Sequence, residues 1–175
     1  MALSVPASGR ALVTARRALS LPVIAARRPP FALAGGRGAP MPSSVRAAVE
    51  AEVAFGDCDP GGIAWHGWYW RWFEAARTAL MRRLDLDVPE LVRLGVRVVV
   101  IDARCRYRQP LRYGDRFVTE AWIEATGPAV DVRYRITRVD GVVIAEARTT
   151  LAAVEPREDR VMDVPPELLA RLEAG

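Results

Sequence analysis

Two aspartates, Asp57 and Asp59, stand two residues apart immediately before a Pro-Gly-Gly break in the chain. The stretch FGDCDPGGIAWHGWYWRWFEAAR (residues 55–77) that contains them also holds the only histidine, His66, and four of the five tryptophans. The pattern predicts a strand before the break and a helix after it, and a helix N-terminus offers unpaired N–H groups and a positive dipole end. A carboxylate beside such a terminus is suited to acyl transfer, because it attacks or activates water while the N–H groups hold the oxyanion.

Structural roles compete with this interpretation. Asp57 and Asp59 can simply cap turns or the helix start, and a lone His66 is more often a packed or capping residue than a catalyst. Other chemistries fit less well: every serine precedes residue 45, so a Ser-His-Asp triad lacks its nucleophile. One histidine and two distant cysteines are too few for a structural zinc site. Cys58 is a poor nucleophile because the flanking carboxylates disfavour its thiolate.

The hydrophobic pattern predicts the elements that position these groups. Alternation predicts a strand over 45–55, and apolar steps of three and four predict a long helix over 66–84 with Trp65, Trp68 and Trp72 on its buried face. Further along we expect a short helix at 89–94, strands at 96–108, 115–126, 130–139 and 142–154, and a terminal helical segment at 165–172. Asp140-Gly141 is a strong signal for a two-residue hairpin.

This order of elements predicts the fold class α+β. Short hairpin connections imply an antiparallel sheet, here of five strands, with one wetter face. The simplest way to bury the other face is to wrap the sheet around the one long helix.

The positive charge of the chain belongs to its N-terminal segment. Residues 1–49 contain no acidic residue, and six of the 25 basic residues lie before Met41, which leaves 19 against 21 acids in residues 41–175. The basic character is therefore not evidence for a nucleic-acid-binding domain, and we expect no nucleic-acid partner. No apolar run is long enough to predict a membrane span.

We separate residues 1–40 from a domain at 41–175. The segment is rich in Ala, Arg, Pro and Gly and lacks sustained periodicity. Upstream sequence before a true start at Met41, a disordered tail and a targeting peptide are all compatible with it. We expect a cytoplasmic protein, with a targeting peptide as the alternative, and free thiols at Cys58 and Cys105.

The stretch at 55–77, followed by RCRYRQPLRYGD at 104–115, resembles the 4-hydroxybenzoyl-CoA thioesterase family of hotdog-fold acyl-CoA thioesterases. The similarity covers about residues 45–154, and its specific core is Asp-x-Asp-Pro-x-Gly-Ile, an aromatic, Tyr or His, then Tyr, and Phe-Glu-x-x-Arg in the helix. The resemblance implies that Asp59 is the catalytic carboxylate and that the backbone N–H at His66 polarises the thioester carbonyl. Glu74 and Arg77 match the helix pattern, more for structure than for chemistry.

The resemblance also implies an acyl-CoA substrate, no cofactor or metal, and a homodimer or homotetramer with its active site between subunits. Trp65, Trp68 and Tyr69 are candidate contacts of an aryl or medium-chain acyl group. Trp68 stands where many relatives carry Asn, and the hairpin after 115–126 lacks the basic residues that hold coenzyme A phosphates in some members. Five arginines elsewhere in the sheet are candidates for binding these phosphates instead: Arg104, Arg106, Arg108, Arg133 and Arg135.

Two alternatives to a thioesterase remain. One is a non-catalytic hotdog protein that binds acyl thioesters. The other is a hotdog hydratase or dehydratase, which requires an Asp–His pair in a motif context that this sequence lacks.

Overall fold

The computed structural model describes residues 39–40, 45–158 and 160–174. Within them no helix is long and apolar enough to cross a membrane. The strands are β1 (Ala39–Pro40), β2 (Arg46–Glu52), β3 (Arg97–Tyr107), β4 (Arg116–Thr126), β5 (Val130–Arg138), β6 (Val143–Glu155) and β7 (Arg160–Met162). The helices are α1 (Trp68–Arg83), α2 (Val88–Arg93) and α3 (Pro166–Glu173), and a 3-10 helix spans Phe55–Asp57.

The described strands form one antiparallel sheet of seven strands, in the order β1-β4-β5-β6-β3. β2 pairs with β4 beside β1, and β7 pairs with the end of β6. The five predicted strands are β2 to β6, so the prediction missed only the two short ones. β1 lies in the segment that we separated from the domain, and the boundary after Pro40 stays a prediction.

The strands predicted at 115–126 and 130–139 are confirmed as β4 and β5, and each buries alternate residues. Phe117, Thr119, Ala121, Ile123 and Ala125 of β4 are buried on one face, as are Val130, Val132, Tyr134 and Ile136 of β5. The strands pair with Ala121 opposite Tyr134, which places both sets on the face toward α1. A hairpin also forms at Asp140-Gly141, where Gly141 adopts a positive φ of 86°. Its loop has three residues and not the predicted two, because the Arg138 N–H donates to the Val142 carbonyl at 2.9 Å.

α1 packs on this face of the sheet through a stripe that includes Trp72, as predicted, but not Trp65. The buried residues are Tyr69, Phe73, Ala76 and Leu80, whereas Trp65 is exposed and Trp68 is only partly buried. The helix begins at Trp68 and not at His66, so Trp65 lies before the helix and does not share its periodicity. The prediction extended the 3.6-residue repeat through residues that are not helical.

The first predicted strand was too long. β2 ends at Glu52, and the chain turns into the 3-10 helix, where Phe55 is exposed and packs edge-to-face on Tyr113. The Asp57 carboxylate accepts a hydrogen bond from the Ala54 N–H at 3.1 Å and so closes the turn. The alternation up to Phe55 therefore continued past the point where the chain leaves the sheet.

An ion pair is buried on the face of the sheet that points away from α1. Asp131 is 3% exposed and Arg148 is 9% exposed, and Arg148 Nη2 lies 3.1 Å from Asp131 Oδ1. The Thr150 hydroxyl donates to the same Asp131 oxygen at 2.6 Å. When one partner of a buried ion pair is removed, the desolvation cost of the other charge is no longer compensated. The stability of β5 and β6 therefore depends on both charges.

We expect Asp131→Ala to lower the free energy of unfolding by about 3 kcal/mol, because the buried Arg148 charge then loses its compensating carboxylate. Urea unfolding of the full chain, followed by circular dichroism, measures the change. The matched control is Asp102→Ala, which removes the partner of Arg104 from an exposed pair and should have a much smaller effect. Equal effects of the two substitutions would contradict the assignment.

Candidate active site

The segment between β2 and α1 folds back on itself through short-range hydrogen bonds. The Trp65 N–H donates to the Asp57 carbonyl at 2.8 Å, and the Asp59 N–H donates to the Ile63 carbonyl at 2.9 Å. Asp57 and Asp59 therefore do not lie at the end of a strand, contrary to the prediction, because β2 already ends at Glu52. Asp57 ends the 3-10 helix and uses its carboxylate to close that turn, whereas Asp59 opens the next one.

Asp59 begins a tight turn that orients its own carboxylate. Its carbonyl accepts from the Gly62 N–H at 2.9 Å, and its Oδ1 accepts from the Gly61 N–H at 2.8 Å. Gly62 has a positive φ of 73°, which a side chain would strain. The second carboxylate oxygen, Oδ2, makes no hydrogen bond with the described residues, so it is available to a ligand.

The start of α1 leaves backbone donors unused. Gly67 is the N-cap residue, and no side chain caps the helix. Among the described residues, no acceptor is found for the backbone N–H groups of His66, Gly67 and Tyr69. Together with the positive end of the helix dipole, these donors make the start of α1 a suitable place for developing negative charge.

The Asp59 carboxylate and the start of α1 border one cavity of about 410 Å³, which we call the Asp59 cavity. Its lining residues come from the turn before α1, from α1, from the end of β3 and from the turn after β3. They are Asp59, Ile63, Ala64, His66, Tyr69, Tyr107, Arg108, Gln109 and Pro110. The structure thus brings together three of the five predicted site residues: Asp59, His66 and Tyr69.

Leu111 fixes the turn after β3 against the start of α1. Its side chain is fully buried, its N–H donates to the Tyr69 hydroxyl at 3.3 Å, and its carbonyl accepts from the Ala64 N–H at 2.8 Å. Both backbone groups of one residue therefore connect three segments of the cavity wall.

The phenols and the thiol near the cavity remain protonated at neutral pH. Burial raises the pKa of Tyr69 above its usual range and raises the pKa of Tyr107 to about 12. Burial likewise raises the pKa of the Cys105 thiol to about 11. These groups act as neutral donors and packing groups, and they provide no nucleophile near pH 7.

Trp65 and Trp68 do not line the Asp59 cavity. They pack edge-to-face on each other with ring centroids 6.2 Å apart, and the Trp65 ring also lies 5.1 Å from the His66 ring. Their role as acyl contacts stays a prediction, as do the catalytic roles of Asp59 and His66. Tyr107 and Gln109 were missed, although both lie in the second stretch that carries the family resemblance.

Four of the five arginines considered for coenzyme A phosphates already pair with carboxylates. The partners are Asp102 for Arg104 at 3.0 Å, Glu146 for Arg108 at 2.8 Å and for Arg135 at 3.3 Å, and Glu124 for Arg133 at 2.6 Å. Arg106 is exposed and forms no ion pair with the described part of the chain. It is therefore the one member of this set whose charge is not already compensated there.

Comparison with known proteins decides the family. Residues 53–172 match the thioesterase-like superfamily. The chain belongs to this superfamily. The match spans the turn of Asp59, all of α1 and the strands β3 to β6, and it confirms the family resemblance predicted from the sequence. The thioesterase-like chain is 37% identical to YneP of Bacillus subtilis over an alignment of 75 residues. The alignment covers 43% of this chain and 54% of YneP.

A longer alignment exists with YbgC of Escherichia coli O6:H1, which is named an acyl-CoA thioester hydrolase. The two are 25% identical over 119 residues, which covers 67% of this chain and 89% of YbgC. The thioesterase-like chain also superposes on a 4-hydroxybenzoyl-CoA thioesterase crystallised with 4-hydroxybenzoyl-CoA, with a TM-score of 0.66 and 20% identity over 73% of this chain and 98% of that one. That similarity confirms the predicted hotdog fold of class α+β. The chain spans about half the length of YneP.

We expect Gly67→Ala to displace the Trp65 indole. A Cβ at Gly67 would lie 2.1 Å from Trp65 Cζ3, while the helical φ of −67° accepts any side chain. Because Trp65 is 48% exposed, its ring can swing out without unfolding the protein. The measurement is the chemical shift of the Trp65 indole N–H in a ¹H–¹⁵N spectrum, which contains one signal for each of the five tryptophans. The Trp65 signal is the one that is missing from the spectrum of Trp65→Phe.

The control for this substitution is Gly56→Ala, where an added Cβ meets nothing within 4 Å. It should leave the Trp65 indole signal in place. An unmoved Trp65 signal in Gly67→Ala would contradict the contact.

Proposed function

We propose that this thioesterase-like protein hydrolyses acyl-CoA thioesters to a carboxylic acid and coenzyme A. One observation carries the proposal: Asp59 and His66 line the same cavity, and there one carboxylate oxygen of Asp59 and the backbone N–H of His66 form no hydrogen bond with the described residues. The name of YbgC, an acyl-CoA thioester hydrolase, supports the same reaction.

The proposed mechanism assigns separate tasks to the two groups. The thioester carbonyl oxygen accepts hydrogen bonds from the N–H groups at the start of α1, which stabilise the negative charge that develops on it. Asp59 either attacks the carbonyl carbon, giving a mixed anhydride that water then cleaves, or removes a proton from the attacking water. In both routes the C–S bond breaks, the thiolate takes up a proton, and one water is consumed for each thioester.

The chain offers contacts for the two ends of such a substrate. Tyr69 and Tyr107 form an edge-to-face pair with centroids 5.0 Å apart in the cavity wall, an apolar surface suited to an aryl or medium-length acyl group. Arg106 is the proposed ligand of a coenzyme A phosphate, because its charge has no carboxylate partner in the part of the chain that the structure describes. The side chain of Arg108 also lines the cavity, but it is already paired with Glu146.

We also propose that two copies of the chain associate along β3. Among the described strands β3 pairs only with β6, so its other edge presents unpaired backbone groups. Val100 and Ile101 are exposed on this strand, and Tyr107 at its end lines the Asp59 cavity. A second copy on this edge would cover these apolar side chains and border the cavity.

Asp59→Asn should lower kcat for the best substrate at least about 100-fold, because the amide can neither attack nor accept a proton from water. The measurement is thiol release by the full chain from benzoyl-CoA, butyryl-CoA and palmitoyl-CoA, and the best of the three identifies the acyl class.

Two controls accompany this variant. Asp57→Asn should retain activity because that carboxylate faces the Ala54 N–H. His66→Ala should lose less than about tenfold, because the proposed donor is a backbone group. Equal turnover by the parent and Asp59→Asn would reject Asp59 as the catalytic residue. Tight binding of an acyl-CoA without turnover would favour the acyl-thioester-binding alternative.

We expect the parent chain to sediment as a dimer or a tetramer, with two or four times the chain mass of 19.3 kDa. Val100→Arg should shift it toward the monomer, because a two-fold interface receives the added charge twice. Analytical ultracentrifugation measures both, with Val139→Arg on the exposed β5–β6 hairpin as the matched control. A parent that sediments as a monomer, or a Val100→Arg variant that assembles like the parent, would count against association along β3.

A further inference from the structure

The Tyr107 side chain connects the edge strand to the start of the long helix. Its hydroxyl donates a hydrogen bond to the His66 carbonyl at 3.1 Å, across a separation of 41 residues in sequence. Its ring packs at 88° against Tyr69, and both rings line the Asp59 cavity. Tyr107 is 43% exposed, so its hydroxyl is not needed to fill a core.

The hydrogen bond to His66 orients a peptide group with an unused donor. In a trans peptide the C=O and the N–H point in opposite directions, so fixing the His66 carbonyl also fixes the Gly67 N–H. The preceding peptide is fixed in the same way, since the Trp65 carbonyl accepts from the Trp68 N–H at 3.0 Å. Two consecutive N–H groups, those of His66 and Gly67, are therefore held in place through their carbonyls. Of these two peptides, only the one between His66 and Gly67 is held by a side chain, that of Tyr107.

We propose that Tyr107 is a positioning residue, whose hydroxyl holds the His66 carbonyl and so keeps His66 and its backbone N–H in place at the Asp59 cavity. This inference rests on the proposed thioester hydrolysis and adds a residue from β3 to it. Tyr107 does not need to contact the substrate for this role. It acts through the backbone, and its effect belongs to the transition state, where the carbonyl oxygen is most negative.

The protonation state of Tyr107 suits this task. Burial raises its pKa to about 12, so the phenol stays neutral and keeps its donor proton throughout the range in which thioesters are usually assayed. The hydrogen bond to His66 should therefore persist from acidic to mildly alkaline pH. A positioning effect of Tyr107 should add no ionisation of its own to the pH profile of kcat in that range.

The test removes the hydroxyl and keeps the ring. Tyr107→Phe in the full chain should lower kcat about tenfold while KM stays within about twofold, because the lost interaction acts on the transition state. The control Tyr113→Phe removes a hydroxyl from an exposed tyrosine outside the cavity lining and should change neither constant. A second readout is independent of activity: the Gly67 amide ¹⁵N signal should shift in Tyr107→Phe, because the His66 carbonyl loses its hydrogen bond while the ring remains.

The outcomes separate this inference from the proposed function. A lower kcat with an unchanged KM and a shifted Gly67 signal supports the positioning role. A full kcat in Tyr107→Phe beside an inactive Asp59→Asn overturns the role and leaves the proposed function intact. An unshifted Gly67 signal overturns it as well. If the parent hydrolyses none of the three acyl-CoAs, the proposed function fails, and the positioning role of Tyr107 in it fails as well, whatever the Gly67 signal shows.

Discussion

The packing of α1 on the sheet is the constraint on which the rest of the structure depends. Phe73 lies against Tyr134 with centroids 5.2 Å apart, and Trp72 lies against Phe117 at 4.6 Å. Each such ring removes about 150–250 Å² from water, so together they contribute several kcal/mol to folding. Because these rings interlock with fixed strands, α1 cannot slide along its axis. The position of its first turn relative to the end of β3 is set by this packing.

The fixed position of α1 determines which residues line the Asp59 cavity. The first turn of α1 meets the turn after β3 at Leu111, which binds Tyr69 through its N–H and Ala64 through its carbonyl. The result is a cavity with a carboxylate on one side and uncapped helix N–H groups on another. A helix start without a side-chain cap is locally unfavourable, and departures from local stability of this kind are expected at functional sites.

The sequence predicted elements well where local signals act alone. The faces of β4 and β5 follow from strict alternation, and the short helix predicted at 89–94 forms within one residue of that range as α2. It predicted the ends of elements less well around Asp59. The apolar alternation in the sequence continues past the end of β2 because Val53 is buried although it lies in the turn. Its backbone N–H donates a hydrogen bond to the Asp115 carbonyl. The tryptophan spacing misplaced the helix start because periodicity does not tell a helical residue from an aromatic just before it.

The sequence by itself determined the thioesterase-like family, the order of the five main strands and the long helix, and the nearness of Asp59 to a helix start. All of these are encoded by local patterns, and residues 55–77 contain both the carboxylate and the helix N-terminus. Only the tertiary structure decided which side chains share the cavity, because Tyr107 reaches His66 from 41 residues away through the placement of β3 beside the helix. It also decided which arginines are paired: the register places Glu146 opposite both Arg106 and Arg135, but its carboxylate binds Arg108 and Arg135, and Arg106 forms no ion pair with the described residues. Register and the position of α1 are properties of the packed chain, and no short segment specifies them.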